Sequence, residues 1–124
     1  MAALPDQLLG RVQQHPDHIA LRGPAAELSY QDLWRAAGAV AEQLRSLGVK
    51  RIGLCGVNTP AWVVADLACL MAEVVCVPVP VFFSKSQTEH LIQRAGLDAL
   101  LFSAEADQAE AIGQGVWLRP LPVS

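Results

Sequence analysis

The sequence predicts an α/β fold: three layers, with a mostly parallel sheet, helices on both of its faces, and a small N-terminal helix and hairpin. Three observations predict it. From residue 51 onward, short apolar runs alternate with helical patterns in the order β-α-β-α-β-α-β, which implies parallel strands joined by right-handed crossovers. The apolar runs also lack polar alternation, as expected of strands covered on both faces, and the connections between them are as short as those of compact α/β units.

The elements follow in order. Leu4, Leu8, Leu9 and Val12 recur at helical spacing, and His15-Pro16 stops that helix at residue 14. Residues 18–22 alternate as a strand, Gly23-Pro24 marks a turn, and residues 27–30 return as a second strand. Ser29 can cap the next helix, with Asp32 completing a capping box. Leu33, Trp34, Ala37, Val40, Ala41 and Leu44 form its apolar face, Gln31, Arg35, Glu42 and Arg45 face water, and Gly48 ends it in a left-handed cap. Residues 52–57 read as a buried strand. Thr59 caps and Pro60 opens a helix from Ala61 to Glu73 that is apolar nearly all round, so it must be packed between layers.

Residues 74–79 form the next buried strand, with Pro78 and Pro80 marking its end because proline cannot donate to a ladder. Ser84 or Ser86 caps the third helix of this region, and Ser86-x-x-Glu89 fits the capping-box pattern. Leu91, Ile92 and Ala95 face inward and Gly96 stops it. Residues 98–102 are a core strand, Ser103 opens a short helix through Ile112, and residues 116–118 are a last strand.

Composition narrows the function. The 124 residues, 52% hydrophobic and 17% charged, make one domain, residues 1–124, with a core of its own. The nine Lys and Arg residues are scattered within a net charge of −3, so no basic stripe exists for nucleic acid. The longest apolar stretch, residues 61–83, is interrupted by Asp66 and Glu73 and broken by prolines, so it is not a membrane span. The N-terminus has no secretion-signal pattern. Cys55, Cys69 and Cys76 sit inside apolar runs without metal-ligand spacing and fit a reducing cytoplasm, which is the expected location.

Several residues could carry chemistry. Gly53-x-x-Gly56 leaves a strand before a helix, but it is neither GxGxxG nor a P-loop, and close packing with a tight exit is the favoured reading. His15, His18 and His90 are the only histidines; His90 neighbours Glu89 and precedes Arg94 by four. All three read as solvated or capping. Asp66 and Glu73, seven apart on one helix, would share a face about 10 Å apart, too far for direct acid–base coupling. Phe82-Phe83-Ser84 falls at the carboxyl end of a strand, where α/β sheets bind ligands, although core closure or contact with another domain is favoured. Trp34, Trp62 and Trp117 read as core or interface.

HPDHIAL, LSYQDLWRAAGAVAEQLRSLGV, NTPAWVVADLACLMAEVVCVPVP and FFSKSQTEHLIQRAGLDALLFS occur in that order. This series resembles the beginning of the adenylate-forming (AMP-binding) superfamily, most like acyl-CoA synthetases, over residues 15–104. Asn58, Pro60, Trp62, Ala72, Val77 and Pro78 stand at matching positions. Glu73 departs from the family's usual glycine, and Phe82-Phe83-Ser84 is closer to ligases of fatty or aryl acids than to amino-acid adenylation domains. The resemblance implies an N-terminal fragment of an AMP-forming ligase that activates a carboxylic acid through an acyl-adenylate, with ATP, Mg and coenzyme A serving the complete enzyme. The family's phosphate loop, ribose-binding aspartate, magnesium ligand and late lysine all fall beyond this region. No catalytic, cofactor-binding or metal residue is therefore assigned, none of these cofactors is expected on this chain, and the chain alone is expected to be inactive. Its expected partners are the remainder of the ligase and, through exposed apolar faces, other copies of itself. The alternative is a non-enzymatic interaction or regulatory module derived from that family.

Overall fold

The computed structural model describes residues 4–24, 27–56 and 58–122. Val57, read above as the end of a strand, and the side chain of Leu4 lie outside the described residues. The chain runs α1 (Leu4–Gln14), β1 (Ile19–Arg22), β2 (Glu27–Ser29), α2 (Tyr30–Leu47), β3 (Arg51–Cys55), α3 (Pro60–Ala72), β4 (Val75–Val79), α4 (Lys85–Ala95), β5 (Ala99–Phe102), β6 (Glu110–Gly113) and β7 (Val116–Pro120). β1 and β2 form the N-terminal hairpin, and the other five strands form one sheet in the order β4-β3-β5-β7-β6. β3 is parallel to both β4 and β5, whereas β7 is antiparallel to both β5 and β6. Four of the five strands therefore point one way and β7 alone is reversed, which bears out the mostly parallel sheet.

Local chemistry explains the helix boundaries. The Ser29 hydroxyl accepts the Asp32 amide at 3.0 Å while the Asp32 carboxylate accepts the Ser29 amide at 3.4 Å, so the capping box starts α2 as expected. That box draws Tyr30 into the helix and out of the strand read for it. Gly48 closes α2 at φ 70°. Thr59 caps α3 with Pro60 in its first turn. α4 uses Ser84 and Gln87, not Ser86 and Glu89: Ser84 Oγ accepts the Gln87 amide at 3.1 Å and Gln87 Oε1 accepts the Ser84 amide at 2.8 Å. Phe83 N–H donates to the Pro80 carbonyl at 3.1 Å, and this turn leaves the chain in position for capping two residues earlier than the alternative box.

α2 and α3 cover one face of the sheet. Leu33, Ala36, Ala37, Val40, Ala41 and Leu44 of α2 meet Val64, Ala65, Leu67, Ala68 and Cys69 of α3, with Ile52, Leu54, Ala99, Leu101, Val116 and Leu118 beneath. Trp34 is only partly buried at the rim of this core. The alternate strand residues Gly53, Cys55, Leu100, Phe102 and Arg119 point to the opposite face, where α4 lies. Helices thus occupy both faces, as a β3-α3-β4-α4-β5 path with right-handed crossovers requires. The cover is unequal, since no residue of α4 is fully buried and Leu91, Ile92 and Ala95 are half-buried.

Three further expectations are corrected. The segment 103–112 is not a helix: turns at 107–108 lead into β6, which pairs with β7 around a Gln114-Gly115 turn. Gln108, Gly113, Gln114 and Gly115 all have positive φ, and strand pairing overrides the helix propensity of this Ala/Glu/Gln-rich stretch. Pro78 does not end β4 but sits inside it, opposite Leu54. The Val75 amide donates inward to Lys50 at 2.9 Å, so alternation points Cys76 and Pro78 outward from the sheet edge. There proline loses no ladder bond. Finally, Glu73 does not share a helix face with Asp66. It is the C-cap of α3, at φ 58° and ψ 38°, with its amide donating to the Leu70 carbonyl at 3.3 Å.

A left-handed glutamate costs about 1 kcal/mol that glycine would not incur, partly offset by the greater unfolded-chain freedom of glycine. Glu73→Gly should raise the free energy of unfolding by about 0.5–1 kcal/mol, read from urea melts. Gly53 gives the opposite expectation. A Cβ there would come within 2.8 Å of Leu100 Cδ2 and 3.0 Å of both Leu97 Cδ1 and Val79 Cγ2. Gly53→Ala should destabilise the fold by about 1–3 kcal/mol in the same measurement.

Candidate functional site

In an open α/β sheet, a crevice forms at the carboxyl ends of neighbouring strands whose connections leave to opposite faces. β3 and β5 mark where the strand order reverses: the chain goes on from β3 to β4 on one side and from β5 to β6 and β7 on the other. The end of β3 is shaped by Gly56, whose φ of 121° needs a residue without a side chain, and a Cβ there would fall 2.5 Å from Ser103 Oγ at the end of β5. The Gly53-x-x-Gly56 motif is accounted for by these two approaches, close packing and a tight exit.

Two clefts flank this edge. One, of about 460 Å³, lies between Leu54, Gly56, Asn58 and Trp62 on one side and residues 78–82 on the other. The second, of about 470 Å³, is bounded by Leu28 of the hairpin, Ala36 of α2, residues 59–61 and Val64 of α3, Ser103 and Gln114. Thr59 Oγ1 is engaged by the Trp62 amide at 3.2 Å. Among the described residues, neither cleft is lined by Lys or Arg, so these walls are apolar and hydroxylic and do not by themselves fit a triphosphate, whose charge needs cations or a metal. A third cleft, of about 650 Å³, opens between α4 and the far face of the sheet, with Cys55, Phe102 and Arg119 on its floor. The Arg119 guanidinium stands 5.9 Å from the Phe102 ring centre. Burial pushes the Cys55 thiol up to about 11, with the Arg119 charge working the other way, so it is protonated and unreactive at neutral pH.

The candidate residues do not converge. His15 and His18 stack with ring centres 4.4 Å apart, exposed at the turn from α1 into β1. That turn is tied to the start of α2 by the Tyr30 and Gln31 amides. His90 is exposed on α4, across the sheet from them. Phe82 and Phe83 form an edge-to-face pair at 5.7 Å. Phe82 is 80% exposed and Val81 66%, so Phe82 does not close the core and the tip stands out at the carboxyl edge. Trp62 lines the first cleft, and Trp117 is half-buried. Sequence reasoning missed Ser103, read as a helix start. The Gly113-Gln114-Gly115 run between apolar segments was the signal of a hairpin that would have placed Ser103 at a strand end.

Comparison with known proteins agrees with this architecture. Residues 9–118 match the AMP-binding enzyme family. The chain belongs to that family. AMP-binding relatives of two kinds are similar to it. The phosphinothricin tripeptide synthetase PhsC of Streptomyces viridochromogenes is 34% identical over 92 residues, covering 72% of this chain and 8% of that protein. A feruloyl-CoA synthase from an Amycolatopsis species is 29% identical over 113 residues, covering 88% of this chain and 23% of that protein. Among solved structures, the O-succinylbenzoate coenzyme A synthetase of Bacillus subtilis in complex with AMP superimposes with a TM-score of 0.74 at 24% identity, covering 82% of this chain and 27% of that one. The N-terminal subdomain of Klebsiella oxytoca NpsA gives 0.76 at 21% identity, covering 86% and 28%. The chain spans less than a third of each of these proteins. No helix among the described residues is long and apolar enough to cross a membrane.

Proposed function

We propose that this chain, as one domain over residues 1–124, supplies the opening α/β portion of an AMP-forming ligase that activates a carboxylic acid with ATP through an acyl-adenylate. On this reading it does not adenylate alone. The observation that carries the proposal is the family match over residues 9–118, which accounts for nearly every element from α1 to β7. Relatives named as feruloyl-CoA synthase and long chain acyl-CoA synthetase favour an aryl or fatty acid as the substrate, and coenzyme A as the thiol acceptor.

The chemistry supports a division of labour. Transfer of an adenylyl group needs charge neutralisation at the phosphoryl oxygens and rigid positioning of the nucleotide. A phosphate loop ending in Pro-Lys-Gly does not occur in the 124 residues, and the clefts at the carboxyl edge carry no cation among the described residues. These residues are suited to walling an acyl or nucleotide cleft, while ATP and Mg would be held by groups outside this segment. The cysteine chemistry suits a cytoplasmic setting. An ATP–pyrophosphate exchange assay on the 124-residue chain, run with fatty, aryl and amino acids, should stay at background. Exchange with any of them would overturn the claim that it is catalytically incomplete.

Apolar surface gives the chain a second property. Leu47, Leu70, Val75, Val81 and Phe82 are large and exposed, and such surface drives association in water. Light scattering should report a mass above the 13.3 kDa of one chain. Phe82→Ser, at the most exposed of these positions, should shift the population toward monomer, and a wild-type chain that elutes as a monomer would contradict the expectation.

A further inference from the structure

Cys69 and Cys76 are brought together by the turn that ends α3. Cys69 lies in the last turn of α3 and is fully buried. Cys76 is the second residue of β4, half-buried and packed against the same core. Between them, the left-handed Glu73 folds the chain back, and the Val74 amide donates to the Cys69 carbonyl at 2.9 Å. Both thiols are free, and both side chains pack into the core on the α3 side of the sheet. Cys55 is no rival partner, because it points to the opposite face of the sheet beneath α4.

We propose that Cys69 and Cys76 form a modification site: a dithiol that closes into a disulfide on exposure to a small-molecule disulfide such as glutathione disulfide, stapling the end of α3 to the edge strand β4. The more accessible Cys76 thiolate attacks one sulfur of glutathione disulfide, forming a mixed disulfide and releasing one glutathione. Cys69 then loses its proton and attacks Cys76 Sγ, and the second glutathione leaves as the thiol. Overall, two protein thiols and one glutathione disulfide become one protein disulfide and two glutathione molecules.

The surroundings set the rate. The neighbouring Cys76 side chain, burial and the nearby Asp66 carboxylate all hold the Cys69 thiol above its usual range. Attack needs the thiolate, so closure is slow at neutral pH and should quicken by roughly tenfold per pH unit while the thiolate fraction limits it. This inference is independent of the ligase reading, since it depends on one turn of the fold and not on any substrate.

The test uses the intact chain, incubated with glutathione disulfide, blocked with iodoacetamide and digested after acidic residues. Glu73 is the only acidic residue between the two cysteines, so cleavage there separates them unless a disulfide joins the fragments. The expected result is a linked pair, 67–73 with 74–89, lost on reduction, with the far-ultraviolet circular dichroism of the protein unchanged. Cys55→Ala should still form it, and Cys76→Ser should abolish both the link and any glutathione adduct at position 69. A stable adduct on Cys76 with Cys69 alkylated, or a link to Cys55 in place of Cys69, would overturn the proposal.

Discussion

The fold depends on covering α3. Its 13 residues, PAWVVADLACLMA, carry one acidic group and are apolar on nearly every side, so most of the helix must be covered, and of its large side chains Leu70 alone stands exposed. Alanines make that possible. Ala65 and Ala68 of α3 and Ala36, Ala37 and Ala41 of α2 share one buried cluster with Val40, Leu44, Val64 and Leu67, and side chains this small suit closely packed helices. The sheet covers a second side with Ile52, Leu54, Leu101 and Leu118. A second constraint fixes the lower edge of the sheet. The Asp98 carboxylate accepts the Lys50 amide at 2.9 Å, the Asp98 amide donates to the Arg51 carbonyl at 2.8 Å, and Arg51 Nε donates to the Ala95 carbonyl at 2.7 Å. The starts of β3 and β5 and the end of α4 are thereby held in one hydrogen-bonded cluster.

The opposite end of the sheet is organised for a different purpose. There the chain turns at Gly56, at residues 80–83 and at Ser103, and the surfaces it presents are apolar clefts and an aromatic tip. Among the described residues, no polar or charged side chain is buried. The Cys55 and Cys69 thiols are both held toward their protonated form. The segment belongs to a family whose members extend well beyond it.

Much of this was legible in the residues themselves. α2 could be read from Ser29, Asp32 and Gly48, because caps are local chemistry and the apolar stripe between them has a clear period. α3 was legible from Thr59-Pro60 and its unbroken apolarity. What the sequence did not reveal had tertiary causes. Residues 103–112 have helix-forming composition, and only pairing with β7 makes them loop and strand. Pro78 breaks a ladder in general but not at an outward-facing edge position, and sequence alone does not say which strand is the edge. Glu73 reads as helical until the helix is seen to end one residue before it. For the site, the strand-end location of Phe82-Phe83 was readable, but the apposition of Gly56 with Ser103, 47 positions apart, was not.

The outward prolines give the sheet a direction of growth. Along β4, Cys76 retains an outward amide, but Pro78 and then Pro80 have none, so a strand approaching from that margin would find its acceptors unmatched. No proline interrupts β6 on the other margin. Any polypeptide that lengthens this sheet, whether from the same molecule or from a neighbour, is steered to β6, so enlargement from this nucleus is one-sided.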